Sequence, residues 1–289
     1  MKRFYLLLLI TTYTVMQLSA QSGYVSEKLK MNSTILGMEV AYSIYLPADY
    51  NSSDIDYPAL YLLHGYTDDH TAWIQFGQMN RILDDCINKG TAPSMIVIMP
   101  DAGVSFYINS ADNKVCYEDM FVKEFIPFIE KTYRIRQKKE FRAIAGLSMG
   151  GYGSLIYALK YPELFAVCCP LSAAIYTDES VTSMAEERYR SVFSPFDLRS
   201  STRLTEHWYQ NSVLHLIENM DDNKKNDVRF YIDCGDDDRL SEGNALMHIL
   251  MSKKGIPHEF RIRDGKHNWG YWRTALPEVF QFIGNSFNR

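Results

Sequence analysis

A serine flanked by glycines stands near the middle of the chain, in the segment Gly146-Leu147-Ser148-Met149-Gly150. A short apolar stretch typical of a β-strand precedes it, and residues with helical periodicity follow it as far as Lys160. On a tight turn from strand to helix, a serine hydroxyl is exposed, and side chains in place of the glycines would collide with the neighbouring turn. The N-terminus of the helix also favours developing negative charge. This context predicts that Ser148 is a nucleophile.

A serine nucleophile needs a base, and the base needs a carboxylate that orients it. In the strand–turn–helix arrangement both partners follow the serine in the chain. His267 lies in a loop just after the last predicted strand, residues 258–263, and no other histidine of the seven combines this order with this context. The sequence therefore predicts that His267 is the base.

The carboxylate is harder to choose, because three aspartates in a row follow another predicted strand, residues 228–235. These are Asp236, Asp237 and Asp238. All three compete for the role, and for two of them a solvated acidic turn is the simpler interpretation. The residues by themselves leave the choice open.

Several spaced motifs together resemble the Putative esterase family of α/β-hydrolases. This family includes esterase D (S-formylglutathione hydrolase), feruloyl esterase modules attached to xylanases, tributyrin esterases and the antigen 85 mycolyltransferases. The resemblance covers nearly all of the chain after its first twenty residues. The segments that carry it, in order, are 57–66, 99–103 with 106–110, 146–151, 234–238 and 265–272.

The resemblance implies roles for further residues. Asp238 matches the aspartate of a C-G-x-x-D segment and is therefore preferred as the orienting carboxylate, with Asp236 as the second choice. The backbone amide of Met149, directly after the nucleophile, is predicted to be one donor of an oxyanion hole. By resemblance the second donor is the amide of Tyr66. His64 is expected to brace the loop that carries this amide.

The same reading predicts the α/β-hydrolase fold, a mostly parallel central sheet flanked by helices. Residues 26–31 and 39–47 should form an antiparallel hairpin, and the apolar run 95–99 a strand buried on both faces. Residues 118–131 have the pattern of an amphipathic helix. The charged segment from about 174 to 226 interrupts the alternation of strands and helices, and is predicted to be a small helical cap over the active site.

The first twenty residues are predicted to be a signal peptide, because Lys2 and Arg3 precede a short apolar run. Cleavage is expected after Ala20, with Ser22 as the alternative. Residues 21–289 then form a single exported domain, periplasmic or extracellular, without a lipid anchor. Removal of two positive charges changes the formal net charge from −5 to −7, which argues against nucleic acid or an anionic membrane as a partner.

The five cysteines leave the disulfide pattern open. Cys168 and Cys169 are adjacent in a predicted strand and are expected to pack as small apolar residues on opposite faces. Cys86 and Cys116 could form a bridge, and with five cysteines, Cys234 among them, at least one is left unpaired if the rest form bridges. No spacing of cysteine and histidine is typical of a zinc site, so neither a metal nor a cofactor is expected.

Aromatic residues are frequent around the predicted nucleophile, and aromatic surfaces suit both flat acyl groups and sugar rings. Trp269, Tyr107 and Trp73 are predicted to contact the substrate. The function predicted is an exported serine ester hydrolase, a feruloyl or acetyl esterase acting on small esters or acylated xylan fragments. The alternatives are a short-chain acyl esterase or S-formylglutathione hydrolase-like thioesterase, a mycolyltransferase-type acyltransferase, and an inactive carbohydrate-binding module. The oligomeric state stays open.

Overall fold

The computed structural model describes residues 22–196 and 202–287. An eight-stranded sheet forms the centre, with the strand order β1-β2-β4-β3-β5-β6-β7-β8. The strands are β1 (Tyr24–Ser33), β2 (Met38–Leu46), β3 (Ala59–Leu63), β4 (Ile96–Pro100), β5 (Arg142–Leu147), β6 (Val167–Leu171), β7 (Arg229–Gly235) and β8 (His258–Arg263). β1 and β2 form the predicted antiparallel hairpin, and β2 pairs antiparallel with β4. All other neighbouring strands are parallel.

Helices cover both faces of this sheet. They are α1 (Ala72–Gln75), α2 (Met79–Asn88), α3 (Tyr117–Met120), α4 (Ile126–Thr132), α5 (Met149–Lys160), α6 (Asp178–Ser183), α7 (Glu186–Val192), α8 (Glu206–Gln210), α9 (Val213–Glu218), α10 (Ser241–Lys254) and α11 (Trp269–Phe287). A π-helical segment, Phe121–Phe125, joins α3 to α4, so the predicted amphipathic helix at 118–131 is one continuous helical stretch. Short 3₁₀ turns occupy Lys139–Phe141, Ser194–Phe196 and Asp222–Lys224.

Every residue of the four central strands β3, β4, β5 and β6 is buried, as expected for strands covered on both faces. Two apolar cores lie on opposite sides of the sheet, one under α2 and α11 and the other under α3 to α5, α9 and α10. Cys168 and Cys169 belong to different cores, which confirms that successive side chains of β6 point to opposite faces. The predicted α/β-hydrolase architecture is confirmed.

Between β6 and β7 the chain forms the short helices α6, α7, α8 and α9, in the region where the sequence predicted a helical insertion. Its inner surface is aromatic, since Phe193 and Phe196 are buried there against Phe106, and Trp208 is buried against Phe196. The insertion also contacts the loop after β3, because the Tyr66 hydroxyl donates a hydrogen bond to the Ser191 carbonyl at 2.7 Å.

All five cysteines lie within the described residues and all are free thiols. The bridge considered between Cys86 and Cys116 is therefore not formed. Burial raises the pKa of the Cys168 thiol to about 12, so this thiol is kept in its unreactive neutral form. The predicted signal peptide, residues 1–20, lies outside the described residues. In the part of the chain that the structure describes, no helix is both long and apolar enough to cross a membrane.

Candidate active site

Ser148 occupies the turn between β5 and α5 and has a strained backbone, with φ 54° and ψ −116°. A non-glycine residue adopts positive φ only at a cost of order 1–3 kcal/mol, so the surrounding contacts must hold it there. The Ser148 amide donates to the Leu171 carbonyl at 2.9 Å, and its carbonyl accepts from the amides of Tyr152 and Ala174 at 3.0 and 2.9 Å. The turn is thus fixed from both its own helix and the end of β6.

The two glycines of the motif are required by close packing. A Cβ atom on Gly150 would lie 2.4 Å from the Leu63 carbonyl oxygen and 2.6 Å from that of His64. A Cβ atom on Gly146 would lie 2.5 Å from the backbone of Gly150. Since real Cβ atoms do not approach other atoms this closely, only glycine allows the helix to begin so near the end of β3.

The structure brings Ser148, His267 and Asp238 together from three separate segments. His267 Nε2 lies 3.0 Å from Ser148 Oγ, and its Nδ1 lies 2.8 and 3.0 Å from the two carboxylate oxygens of Asp238. These distances allow a continuous chain of hydrogen bonds. The hydroxyl and the imidazole therefore stand in the relation that base-assisted nucleophilic attack requires.

Asp238 is almost completely buried, with 3% of its surface exposed. Burial by itself would raise its pKa, but hydrogen bonding to His267 and from the Leu240 amide outweighs this and lowers the pKa below its usual value. An ionised carboxylate can only accept, so Nδ1 of His267 carries the proton and donates it. The Nε2 lone pair is then free to accept the Ser148 hydroxyl proton.

The neighbouring aspartates have different positions. Asp236 and Asp237 are exposed. Asp236 Oδ1 accepts hydrogen bonds from the Gly265 and Asp237 amides, both at 3.0 Å, and so ties the loop after β7 to the loop before α11. It is Asp238, the residue preferred on resemblance, that reaches His267.

The loop after β3 approaches the nucleophile closely. A Cβ atom on Gly65 would lie only 3.7 Å from the Ser148 Cβ. His64, buried at the start of this loop, accepts the Ala102 amide on Nε2 at 2.9 Å, while Nδ1 is 2.8 Å from the Gly65 carbonyl. A neutral imidazole that donates through Nδ1 satisfies both contacts, which is the bracing arrangement predicted for His64. Tyr66 follows Gly65 directly. Met149 is the first residue of α5, and the amides of the first helical turn have no acceptor within the helix.

A cleft of about 440 Å³ opens above these groups. Its lining residues are Gly65, Tyr66, Thr67, Asp68, Leu147, Ser148, Arg239, His267, Asn268, Trp269 and Trp272. A larger cavity of about 800 Å³, bordered by α5, α8 and α9, contains none of the three hydrogen-bonded groups. Because the chemistry depends on those groups, the smaller cleft is the candidate active site.

Of the three aromatic residues predicted to contact substrate, only Trp269 lines the cleft. The predictions for Tyr107 and Trp73 are wrong, because both side chains are 0% exposed. Tyr107 donates its hydroxyl to the His64 carbonyl at 3.0 Å, and Trp73 donates its indole N–H to the Leu63 carbonyl at 2.9 Å. Both therefore support the loop after β3 from within the core.

The structure adds residues that the sequence reasoning missed. Phe76 is 53% exposed and lies beside Trp269, with ring centroids 6.0 Å apart. Asp68, in the loop after β3, and Arg239, in the loop after β7, also line the cleft. Because Arg239 directly follows Asp238 in the sequence, its place near the cleft could have been predicted. For Phe76 the sequence offered no such signal, since its loop belongs to no motif.

Trp272 holds the imidazole in place. Its ring meets that of His267 edge to face at 4.9 Å, and its indole N–H donates to the Ser172 hydroxyl at 3.0 Å. Ser172 in turn contributes to lowering the pKa of Asp238, after the effects of burial, His267 and Leu240. Within residues 22–196 and 202–287, no three His, Cys, Asp or Glu side chains are grouped as a metal would require.

Comparison with known proteins agrees with this geometry. The model of the Putative esterase family matches residues 33–283. An acetyl esterase from Caldicellulosiruptor saccharolyticus is 27% identical over 91% of this chain and 97% of its own length. A solved ferulic acid esterase is 30% identical with a TM-score of 0.77, over 92% of this chain and 99% of its own. An S-formylglutathione hydrolase from Staphylococcus aureus is 25% identical with a TM-score of 0.74, over 92% and 100%.

The family match spans most of the chain, and the solved relatives share its fold over nearly their whole length. The chain belongs to the Putative esterase family of α/β-hydrolases and is a carboxylic ester hydrolase.

Proposed function

We propose that this hydrolase is an exported serine esterase that removes feruloyl or acetyl groups from plant cell-wall xylan fragments. The observation that carries the serine mechanism is the hydrogen-bonded chain from Ser148 through His267 to Asp238, with contacts of 3.0 and 2.8 Å. The acyl preference is supported by the relatives, one named an acetyl esterase and another a ferulic acid esterase. Export is supported by the leader-like sequence of residues 1–20.

The reaction proceeds by acylation and deacylation. Ser148 Oγ attacks the ester carbonyl carbon while His267 Nε2 takes the hydroxyl proton, and Asp238 stabilises the imidazolium that forms. Collapse of the tetrahedral intermediate breaks the ester C–O bond, and the leaving alcohol receives the proton from His267. Water, deprotonated by the same imidazole, then hydrolyses the acyl-enzyme and regenerates Ser148.

The negative charge of each tetrahedral intermediate is stabilised by the backbone amides of Tyr66 and Met149. Preorganised donors of this kind contribute about 3–4 kcal/mol each in related chemistry. The close approach of Gly65 to Ser148 supports this assignment, as does the place of Met149 at the start of α5. The helices α6 to α9 act as a cap, and the hydrogen bond from Tyr66 to Ser191 couples that cap to the oxyanion loop.

The substrate lies against Trp269, whose ring is held edge to face by both Trp73 and Trp272, at 5.2 and 5.3 Å. An indole fixed in this way presents a rigid apolar surface with little entropy left to lose on binding. Such a surface suits a feruloyl ring or a sugar face. A polymer fragment fits a cleft that is open to solvent better than one that is enclosed.

The test combines a variant with a substrate panel. Ser148→Ala should lower turnover roughly a thousandfold or more while leaving thermal unfolding close to that of the unaltered protein. The panel contains methyl ferulate, acetylated xylo-oligosaccharides and p-nitrophenyl acetate. Near-normal rates in the variant would refute the assignment of the nucleophile, and activity confined to p-nitrophenyl acetate would refute the xylan substrate.

A second candidate is hydrolysis of S-formylglutathione, favoured by the similarity to the Staphylococcus aureus enzyme. The same acyl-enzyme chemistry serves a thioester, so the triad does not separate the two. A kcat/KM for S-formylglutathione that exceeds those of all the oxygen esters in the panel would favour this candidate.

A further inference from the structure

We propose that the enzyme has a subsite for an anionic group of its ester substrate, formed by Arg188 and Arg239 beside the catalytic cleft. The inference rests on the proposed esterase function and names a substrate feature that this function leaves open. The ligand class is an ester that also carries a carboxylate, such as an acylated oligosaccharide with a uronic acid substituent.

A second cavity adjoins the cleft. It has a volume of about 340 Å³ and lies between α6, α7 and the start of α10. Arg239 lines both this cavity and the catalytic cleft, and is the residue that the two have in common. Arg188, on α7, lines the second cavity from the cap side. A substrate bound at Ser148 can therefore extend past Arg239 into a space with a second guanidinium.

Tyr176 lines the second cavity together with Arg188 and Arg239. Burial raises the pKa of Tyr176, whereas the positive charges of Arg239 and Arg188 and a hydrogen bond with Arg188 act in the opposite direction. Glu242 is the one carboxylate among the residues that line the cavity. Helix α10 also begins here without a side-chain cap, which adds the partial positive charge of a helix N-terminus.

Arg188 and Arg239 differ from the arginines that are held by carboxylates. Arg142, for example, is buried against Glu130 at 2.6 Å, and Arg263 contacts Asp233 at 2.9 Å. Within the described residues, Arg188 and Arg239 form no ion pair, although acidic residues outnumber basic ones by 35 to 30 in the chain. Arg188 uses part of its guanidinium on Tyr176, and the remaining donors of both groups are available to a carboxylate, which a guanidinium can bind bidentately.

The charges of the cleft also fix the side on which an anion is accepted. Asp68 lines the cleft next to the oxyanion loop, and Arg239 lines it next to Asp238. A carboxylate on the substrate would be repelled by Asp68 and attracted by Arg239. The anionic group is therefore expected on the Arg239 side of Ser148.

The experiment compares two acetylated xylo-oligosaccharides that differ only in a uronic acid substituent. The readout is the ratio of kcat/KM for the anionic ester to that for the neutral ester. We expect the ratio to exceed one in the unaltered protein and to fall with added NaCl, since salt screens exposed charges. Arg239→Gln and Arg188→Gln should each lower it about fivefold.

Arg81→Gln is the matched control, because Arg81 is an exposed arginine on α2 that lines neither cavity. It removes the same charge and should leave the ratio unchanged. A ratio at or below one in the unaltered protein would overturn the subsite, as would equal ratios for the Arg239→Gln variant and the Arg81→Gln control.

Direct binding separates failure of the subsite from failure of the esterase function. Titration calorimetry of the Ser148→Ala variant should show tighter binding of the anionic than of the neutral oligosaccharide, and this difference should disappear when Arg188→Gln and Arg239→Gln are added. Tighter binding of the anionic oligosaccharide, together with no hydrolysis of any ester by the unaltered protein, would refute the proposed esterase function and retain the subsite. Equal binding of both oligosaccharides would refute the subsite, whether or not the esters are hydrolysed.

Discussion

Two parts of the site are built in different ways. One is the hydrogen-bonded centre, formed by Ser148, His267 and Asp238, and the other is the wall of the cleft around it. Ser148 and Asp238 are buried and fixed by backbone contacts, and Gly150 leaves no room for a methyl group. The wall residues Thr67 and Arg239 are exposed and come from loops far apart in the chain. The centre therefore tolerates little change of any kind, whereas the walls can vary without disturbing the chemistry. Variants in the centre should lower activity on all esters, and variants in the walls should change the ranking of esters.

The largest effect is expected from Asp238→Asn. An amide in place of the carboxylate can hold the imidazole in the wrong tautomer and cannot stabilise the imidazolium, so kcat should fall about a thousandfold or more on every ester. The control is Asp236→Asn, because the amide oxygen can still accept from the Gly265 amide. This control should stay within a few-fold of the unaltered protein. A larger loss in the control than in Asp238→Asn would reverse the assignment of the carboxylate.

Gly150→Ala tests the packing of the centre. The added methyl group would meet the Leu63 and His64 carbonyl oxygens at 2.4 and 2.6 Å, and overpacking of this kind costs about 1–3 kcal/mol. We expect a lower free energy of unfolding in urea and a lower kcat on all esters. The matched control is Gly37→Ala, at a turn where no atom lies within 4 Å of the added Cβ, although its positive φ adds some strain. Equal kcat in the two variants would show that the turn at Ser148 can relax around the added methyl group.

Trp269→Ala tests the walls. Loss of the indole surface should raise KM for methyl ferulate about two- to tenfold, the range expected for one aromatic contact, and change p-nitrophenyl acetate less. Phe76→Ala should have a smaller effect in the same direction. Ile55→Ala removes an apolar side chain of similar exposure that does not line the cleft, and should change neither substrate. A uniform fall in kcat with Trp269→Ala would place this residue in the centre instead of the wall.

The smallest effect expected is the pH dependence of stability at the centre. The pKa of Asp238 is lower in the folded protein than in the unfolded chain, so its ionisation stabilises the fold above the ordinary carboxyl pKa of about 4. This contribution is lost as pH falls through the lowered folded value. The stability advantage of the unaltered protein over Asp238→Asn in urea unfolding should therefore shrink below pH 4. A gap that does not depend on pH would contradict the lowered pKa.

The local features of the centre could be predicted because they depend on short-range requirements. Glycines two residues on either side of Ser148, with a strand before and a helix after, specify a turn whose backbone geometry few other residues could adopt. The apolar run at 95–99 likewise specifies a strand covered on both faces. Each of these signals lies within one short segment of the chain, so no knowledge of distant contacts is needed to interpret it.

The walls could not be predicted in the same way. Trp73 and Tyr107 have the composition of substrate-binding residues, and only their burial by distant segments shows that they brace the loop after β3. Phe76, with no motif around it, becomes relevant because Trp269 packs beside it from the other end of the chain. The bridge between Cys86 and Cys116 could not be judged from the sequence either, because a disulfide forms only where the fold places two cysteine side chains next to each other. Both are free.

The order and type of the chemical groups were thus determined by the sequence itself, through the local backbone demands of the serine turn and the positions of His267 and the three aspartates at strand ends. Tertiary structure decided which aspartate reaches the imidazole and which aromatic residues face the cleft. It also decided that Arg188 and Arg239 face one cavity. The physical reason is that burial and long-range contact are set by the packing of elements far apart in the chain, which no local pattern encodes.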